Sequence, residues 1–356
     1  MEDFFLIASI LLIIFSLLPF VRNQHWIFRV PEFFKIQLLF LQIIASIGLL
    51  IFMERNSWFW LLIGSQVLFI IYHTYLLSQF TKFYKKKPLT PKNDFKKIKI
   101  ISANIYQYNQ KFERFKDLIK KERPDIFITI ESNKDWEIAM CNLETEYPYT
   151  EKVTLENTYG MHLYAKIPFQ KVTTHYFVSN DIPSIEAHFT DEYGNDFVVF
   201  SVHPPPPSPT EEVTSKERDG DLMSIAKRAK EIKSPVLVIG DFNTVAWSRI
   251  AKLFIKNSGL IDGRSGRGIL ASYHAKYWFF RAPLDLVFHS PTIFLNELKV
   301  LEYIGSDHFP ISTIFSIDIS NRSQEKDVEI ITKEEKKETV KLIKEGIKEK
   351  SANRDF

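Results

Sequence analysis

Acids and bases are nearly missing from the first eighty or so residues and abundant in the rest. Three apolar stretches make up that N-terminal part, from Phe4 to Val21, Ile36 to Met53 and Trp58 to Leu77. Each is close to the roughly 20 residues an α-helix needs to cross a hydrocarbon core. A cleaved signal peptide fits the first poorly, because Glu2 and Asp3 precede it, no small-residue cleavage site follows, and two further stretches come after it. A buried helical hairpin in a soluble protein would need a large core to cover all three. Trp26, Trp58, Trp60, Tyr72 and Tyr75 lie near the expected ends, where aromatic belts occur. Residues 1–80 are therefore expected to form three transmembrane helices, which makes the chain an integral, multi-pass membrane protein with the lipid bilayer as a partner.

Basic residues in short connections set orientation. Arg22, Arg29 and Lys35 lie in or beside the first connection, and Lys82, Lys85, Lys86 and Lys87 follow the third stretch. Three spans put these two groups on one side, opposite Arg55 and the acidic N-terminus, so the C-terminal domain is expected to be cytoplasmic.

A basic linker is expected over 81–97, where Pro88 and Pro91 break helices. From Ile98 the pattern changes to short apolar runs alternating with amphipathic segments. Strands are expected at 99–104, 126–130, 184–189, 197–202, 235–239, 284–288, 298–301 and 311–317, and helices after Phe112 and over 219–232. Apolar strands alternating with helices predict sheets covered by helices, an α/β layered domain over 98–318. The tail over 319–356, dominated by Lys and Glu, reads as partly helical or disordered and solvated. A net charge of +3, from 46 basic and 43 acidic residues, provides no global field for nucleic acid. The lone Cys141 excludes an internal disulfide and a thiolate-rich zinc site.

The chemistry lies at the strand ends. Asn104, Glu131, His203, Asp241 with Asn243, Asp285, and Asp307 with His308 each sit at or just beyond an apolar run. Ligand sites in α/β architectures cluster there. Carboxylates with an amide oxygen suit a hard cation such as Mg²⁺ or Mn²⁺, and histidines near neutrality can move protons. Taken singly, each of these residues is more often a turn former, a helix cap or a structural histidine. Together and in this order, Gly240-Asp241-Phe242-Asn243 and Ser306-Asp307-His308 resemble the endonuclease/exonuclease/phosphatase superfamily, across roughly Ile98 to Ile317.

That resemblance implies a deoxyribonuclease-I-like two-layer β-sandwich flanked by helices, as in nucleases, sphingomyelinases and inositol polyphosphate 5-phosphatases. It implies a catalytic set of Asn104, His203, Asp241, Asn243, Asp285 and His308, with Glu131, Asp307 and Asn104 on the metal. In that pattern Asp241 orients or deprotonates the attacking water, Asn243 stabilises the pentacoordinate phosphorus, and Asp285 orients His308. Ala165 takes the place of a serine that the family carries beside a basic residue, and Lys166 keeps the charge. His162, His175 and His188 read as structural, and Pro204–Pro209 as a stiff loop at the cleft rim.

The activity implied is hydrolysis of a phosphate ester by an activated water. The substrate is either a lipid or small phosphorylated molecule or a nucleic acid. The basic and aromatic stretch of Arg264, Arg267, Lys276 and Arg281 with Tyr273, Tyr277, Trp278, Phe279 and Phe280 suits both. The alternative is a membrane-tethered binding module of the same fold without turnover. A channel or transporter is disfavoured because only Lys35 and His73 bring ionisable groups to the apolar stretches.

Overall fold

The structure, a computed structural model, describes residues 1–84 and 96–351. The Pro88 and Pro91 linker lies outside them. Three helices, α1 (Glu2–Leu17), α3 (Lys35–Phe52) and α4 (Ser57–Ser78), are long and apolar enough to cross a membrane. They sit within a few residues of the expected bounds. The Asn56 side chain caps α4 by accepting from the Phe59 amide at 3.0 Å. Lys35, His73, Gln42 and Ser16 form a buried polar chain inside the bundle, at 3.4, 3.0 and 2.9 Å in turn. Between α1 and α3 runs a longer connection holding α2 (Val30–Phe33).

Among the described residues, the remainder carries twelve strands: β1 (Ile98–Asn104), β2 (Ile126–Ile130), β3 (Tyr149–Val153), β4 (Met161–Ala165), β5 (Phe169–His175), β6 (Ser184–Thr190), β7 (Asp196–Val202), β8 (Val236–Asp241), β9 (Ile261–Asp262), β10 (Asp285–His289), β11 (Ile293–Val300) and β12 (Ile311–Ile317). They form two mixed six-stranded sheets, ordered β11-β12-β1-β2-β4-β3 and β5-β6-β7-β8-β10-β9. Ile100, Ile128, Leu163, Ala187, Leu237 and Val287 are fully buried between the sheets. The alternate residues face outward onto helices, which is why the strands read as continuous apolar runs. α5 (Phe112–Glu122) and α6 (Lys134–Met140) cover one sheet, and α7 (Lys216–Glu231) and α8 (Arg249–Ser258) the other.

Each sheet is built on one parallel pair, β1 with β2 and β7 with β8, joined through α5 and α7. A parallel pair needs such a crossover, and it leaves both strands ending at the same edge. Four strand ends carrying Asn104, Glu131, His203 and Asp241 therefore meet at one rim of the sandwich. β10 runs antiparallel with Asp285 opposite Asp241, which adds a fifth group.

The acidic and basic tail folds as α9 (Lys333–Lys348), begun by a capping box of Thr332 and Glu335. It is not purely solvated. It lies on α7 so closely that a Cβ added at Gly220 would stand 2.8 Å from the Gly346 Cα.

The bundle and domain are docked by backbone bonds. Trp26 N donates to Val213 O at 3.0 Å, Ser215 N to Gln24 O at 2.7 Å and Gly266 N to Gln79 O at 2.9 Å. Trp247 Nε1 also donates to Glu32 O, at 2.7 Å. Leu76, Leu77 and Phe80 pack with Val245, Trp247 and Leu284 at the joint.

Candidate active site

The rim residues converge on the Asp241 carboxylate. Its Oδ2 accepts from Asn104 Nδ2 at 3.2 Å and lies 3.5 Å from His308 Nε2 and 3.8 Å from His203 Nε2. Its Oδ1 accepts from the Asn243 amide at 2.9 Å, which turns the chain sharply after β8. Gly240 is needed just before, because a Cβ there would meet the Val202 carbonyl oxygen at 2.1 Å. Asn243 is held at a left-handed φ of 46° with its Nδ2 on Pro204 O at 2.9 Å. Behind it, the buried Arg218 donates to Asn243 O at 3.1 Å and pairs with Asp219.

His308 Nδ1 lies 2.8 Å from Asp285 Oδ2, so the ring is oriented with Nε2 toward Asp241. Burial pulls this imidazole down, but Asp285, Asp241 and Asp307 outweigh it and hold the ring up at about 10. His203 shows the opposite result: burial lowers it to about 4, Asp241 opposes, and His308 adds to the lowering. Near neutral pH one histidine is thus a cation and the other a neutral ring. Pairs whose environments push their pKa values apart are suited to separate proton-transfer roles.

Glu131, at the end of β2 with φ 66°, accepts from Asn104 Nδ2 at 2.8 Å and from the Gln107 amide at 3.1 Å. Burial pushes its carboxyl up to about 7, against the pull of those two bonds. Among the described residues no lysine or arginine pairs with Glu131 or with the partly exposed Asp307. Two carboxylates at a cleft floor, neither paired with a lysine or arginine and both within the field of the His308 imidazolium, fit a hard divalent cation. A compact group of metal-type ligands among the described residues is instead Asp241, Asp285 and His308, their ligand atoms within 4.8 Å of one another. Its imidazole is committed to Asp285 and protonated, so that trio fits proton chemistry better than a cation. Asn104, expected on the metal as well as in catalysis, spends its amide N–H groups on Glu131 and Asp241, and its Oδ1 accepts from the Tyr106 amide at 3.0 Å.

All eight expected residues but Asp285 line one cleft of about 710 Å³, and Asp285 lies just behind it through His308. Several supporting side chains escaped sequence reasoning. Ser306, seen only as part of its motif, accepts from the His308 amide at 3.0 Å and donates to Asn104 O at 2.8 Å, tying two rim loops together. Gln107 braces Glu131 and also accepts from Thr158 N at 2.8 Å. Tyr273 sets its ring 4.8 Å from that of His308. The cleft wall formed by Val30, Phe33 and Phe34 comes from the connection between the first two apolar helices. No local motif marks Gln107, Val30, Phe33 or Phe34, whereas Ser306 stands in Ser-Asp-His and Tyr273 in the aromatic stretch.

Pro206 and Pro207 are at the rim. His175 and His188 both pair with the buried Glu186, at 2.8 and 2.7 Å, as structural residues. Lys166 does not bring its charge to the site. Ala165 pairs with Ile126 while Met161 pairs with Ile130, so Lys166 lies at the far end of the sheet, bound to Glu146 at 2.7 Å. Most of the basic stretch is also consumed internally. Arg264 is buried against Asp262, Arg267 donates to the carbonyls of Gly263 and Leu295, and Arg281 donates to Ala275 O.

A profile of the Endonuclease/Exonuclease/phosphatase family matches residues 101–308, and the chain belongs to that family. No curated protein matches it by sequence. Among solved structures, TDP2 of D. rerio complexed with single-strand DNA product superposes with a TM-score of 0.52 at 17% identity, covering 62% of this chain and 99% of that one. The human Nocturnin catalytic domain with bound sulfate does so at 0.50 and 15% identity, covering 62% and 95%. A mannosyl-6-phosphatase of Bacteroides thetaiotaomicron does so at 0.50 and 16% identity, covering 62% and 100%. These likenesses establish the sandwich fold.

Proposed function

We propose that this member of the endonuclease/exonuclease/phosphatase family is a membrane-anchored phosphate-ester hydrolase that uses Mg²⁺ or Mn²⁺ and water as the nucleophile. The observation that carries the reading is the Asp241 carboxylate set among Asn104, a neutral His203 and a cationic His308. Asp241 orients and deprotonates the water. His308, held by Asp285, supplies positive charge where the phosphoryl oxygens become more negative, and Asn243 adds a donor or dipole beside it. His203 contacts phosphate and assists the leaving group. Glu131 and Asp307, aided by Asn104, would hold the divalent ion, whose contribution is to neutralise charge on the phosphoryl oxygens. The full chain in detergent is expected to hydrolyse bis-p-nitrophenyl phosphate when Mg²⁺ or Mn²⁺ is supplied. Asp241→Asn and His308→Ala should each lower kcat by about 10²–10⁴-fold. Unchanged rates in both variants would overturn the assignment.

The bilayer part of this proposal is supported by the outer surface of the bundle. Phe40, Ile44 and Leu68 are more than half exposed there, and water alone would leave a large apolar patch uncovered. Arg22, Arg29 and Lys82 lie at the domain end of the helices, so the domain takes the cytoplasmic side by the basic-residue rule. The single cysteine, Cys141, is exposed and can report this. A membrane-impermeant maleimide should label it in inverted vesicles and not in intact cells. The reverse pattern would place the domain outside.

A further inference from the structure

A second concavity meets the catalytic cleft. A groove of about 470 Å³ runs between α1 and α3, walled by Leu11, Phe15, Leu38 and Leu41. Phe34 and Phe280 line both the groove and the cleft, so the two share a wall where the bundle docks on the domain. Apart from Gln37 the groove is entirely apolar, and the Gln37 amide N–H donates to Phe279 O, fastening α3 to the turn Trp278–Phe280. From Phe34 to Leu41 the groove follows seven residues of helix, about 10 Å at 1.5 Å per residue. One leaflet of a bilayer is about 15 Å of hydrocarbon deep. The groove therefore leads from the mouth of a polar cleft into the depth that one leaflet occupies.

We infer that the substrate is a membrane-resident phosphate ester with a long alkyl or acyl chain, its phosphate at Asp241 and His308 and its chain in the α1–α3 groove. This rests on the hydrolase reading above and commits it to a lipid. In the reaction a water oxygen bonds to phosphorus and a P–O ester bond breaks. Of the two water protons, one remains with the phosphate product or passes to solvent and one ends on the departing oxygen. Two observations select a lipid over nucleic acid. Arg264, Arg267 and Arg281, the guanidinium groups of the site's basic stretch, are turned to internal partners and cannot track a polynucleotide backbone. In their place the cleft mouth presents Val30, Phe33, Phe34 and Phe280, with Trp278 76% exposed beside them, a composition suited to the hydrocarbon–headgroup boundary.

The test uses the full chain in bilayer nanodiscs with alkyl p-nitrophenyl phosphates bearing methyl or hexadecyl chains, and a single-stranded DNA oligonucleotide. The wild type should favour the hexadecyl ester in kcat/KM. Leu11→Trp combined with Leu41→Trp, which fills the groove, should cut the hexadecyl-to-methyl ratio at least tenfold. An unchanged ratio would mean that the long chain gains only by partitioning into the bilayer, and the inference fails. DNA cleaved as fast as the hexadecyl ester also overturns it. No turnover of any ester by the wild type removes the hydrolase reading itself. If the double variant does not fold, a hexadecyl phosphate carrying a terminal diazirine is photo-crosslinked to Asp241→Asn. Label on the α1 and α3 peptides supports the groove, and label confined to α4 or the domain refutes it.

Discussion

In the domain, Ile100, Ile128 and Leu237 are fully buried between the sheets, whereas in the bundle Phe40, Ile44 and Leu68 are more than half exposed and the polar Ser9, Gln42 and His73 are enclosed beside Leu49 and Phe59. The domain draws its stability from apolar surface withdrawn from water, and its polar groups collect at the strand ends where they do chemistry. On the proposed membrane reading, the bundle's surroundings are as apolar as its own surface, and burying a side chain such as Leu49 contributes through packing rather than through withdrawal from water. Its helices are held by packing and by bonds such as Ser16–Gln42–His73. The same residue types therefore carry different weight on either side of residue 84.

Substitutions on each side measure that difference. Phe127→Ala should cost most. This ring is fully buried, stacks on Tyr164 at 4.5 Å and meets Tyr147 at 4.8 Å, and its loss should destabilise the domain by about 3–5 kcal/mol in chemical denaturation. A loss under 1 kcal/mol would mean that the sandwich core tolerates a cavity and the contrast with the bundle fails. Asp221→Asn comes next. Burial, with Glu217 adding to it, holds the Asp221 carboxyl up at about 8, and neither of its oxygens has a hydrogen-bond partner. A raised folded-state pKa adds stability below the unfolded value near 4 that is lost as pH rises through about 8. The amide should thus stabilise the domain by roughly 1–3 kcal/mol at pH 8.5 and by little at pH 4. Thermal melts at the two pH values check this, and an equal effect at both would exclude ionisation as the cause. Gln42→Leu should be the mildest, near the 0.6 kcal/mol typical of bonds between membrane helices. A melting loss comparable to that of Phe127→Ala would show the bundle to be organised around its polar interior.

What could be read from the chain follows from how local each signal is. β2 and the three long helices were legible almost to the residue, because uninterrupted apolar runs such as Ile126–Ile130 have one burial solution. Edge strands β3 and β5 were not. Lys152, Gln170 and Lys171 sit on half-exposed faces where neither period dominates. Within the site, Asp241, Asn243 and His308 stand in short motifs whose turns depend on immediate neighbours such as Gly240 and Ser306. Phe280 stood in the aromatic stretch, but its sharing of a cleft wall with Phe34 was invisible, because the two meet only when the bundle and domain dock, some 246 positions apart in the chain. Arg267 misled, since a cluster of basic letters does not reveal that Leu295 O will take the guanidinium.

The docking bonds of Trp26, Ser215 and Trp247 also bear on kinetics. A domain clamped to its own helices cannot tumble in search of substrate. On the proposed reading of a membrane-anchored enzyme with a lipid substrate, the cleft mouth is held against the bilayer and encounter becomes a lateral process in two dimensions. Turnover would then track the mole fraction of substrate in the leaflet rather than its bulk concentration, and inert lipid added at constant bulk substrate should slow the reaction in proportion.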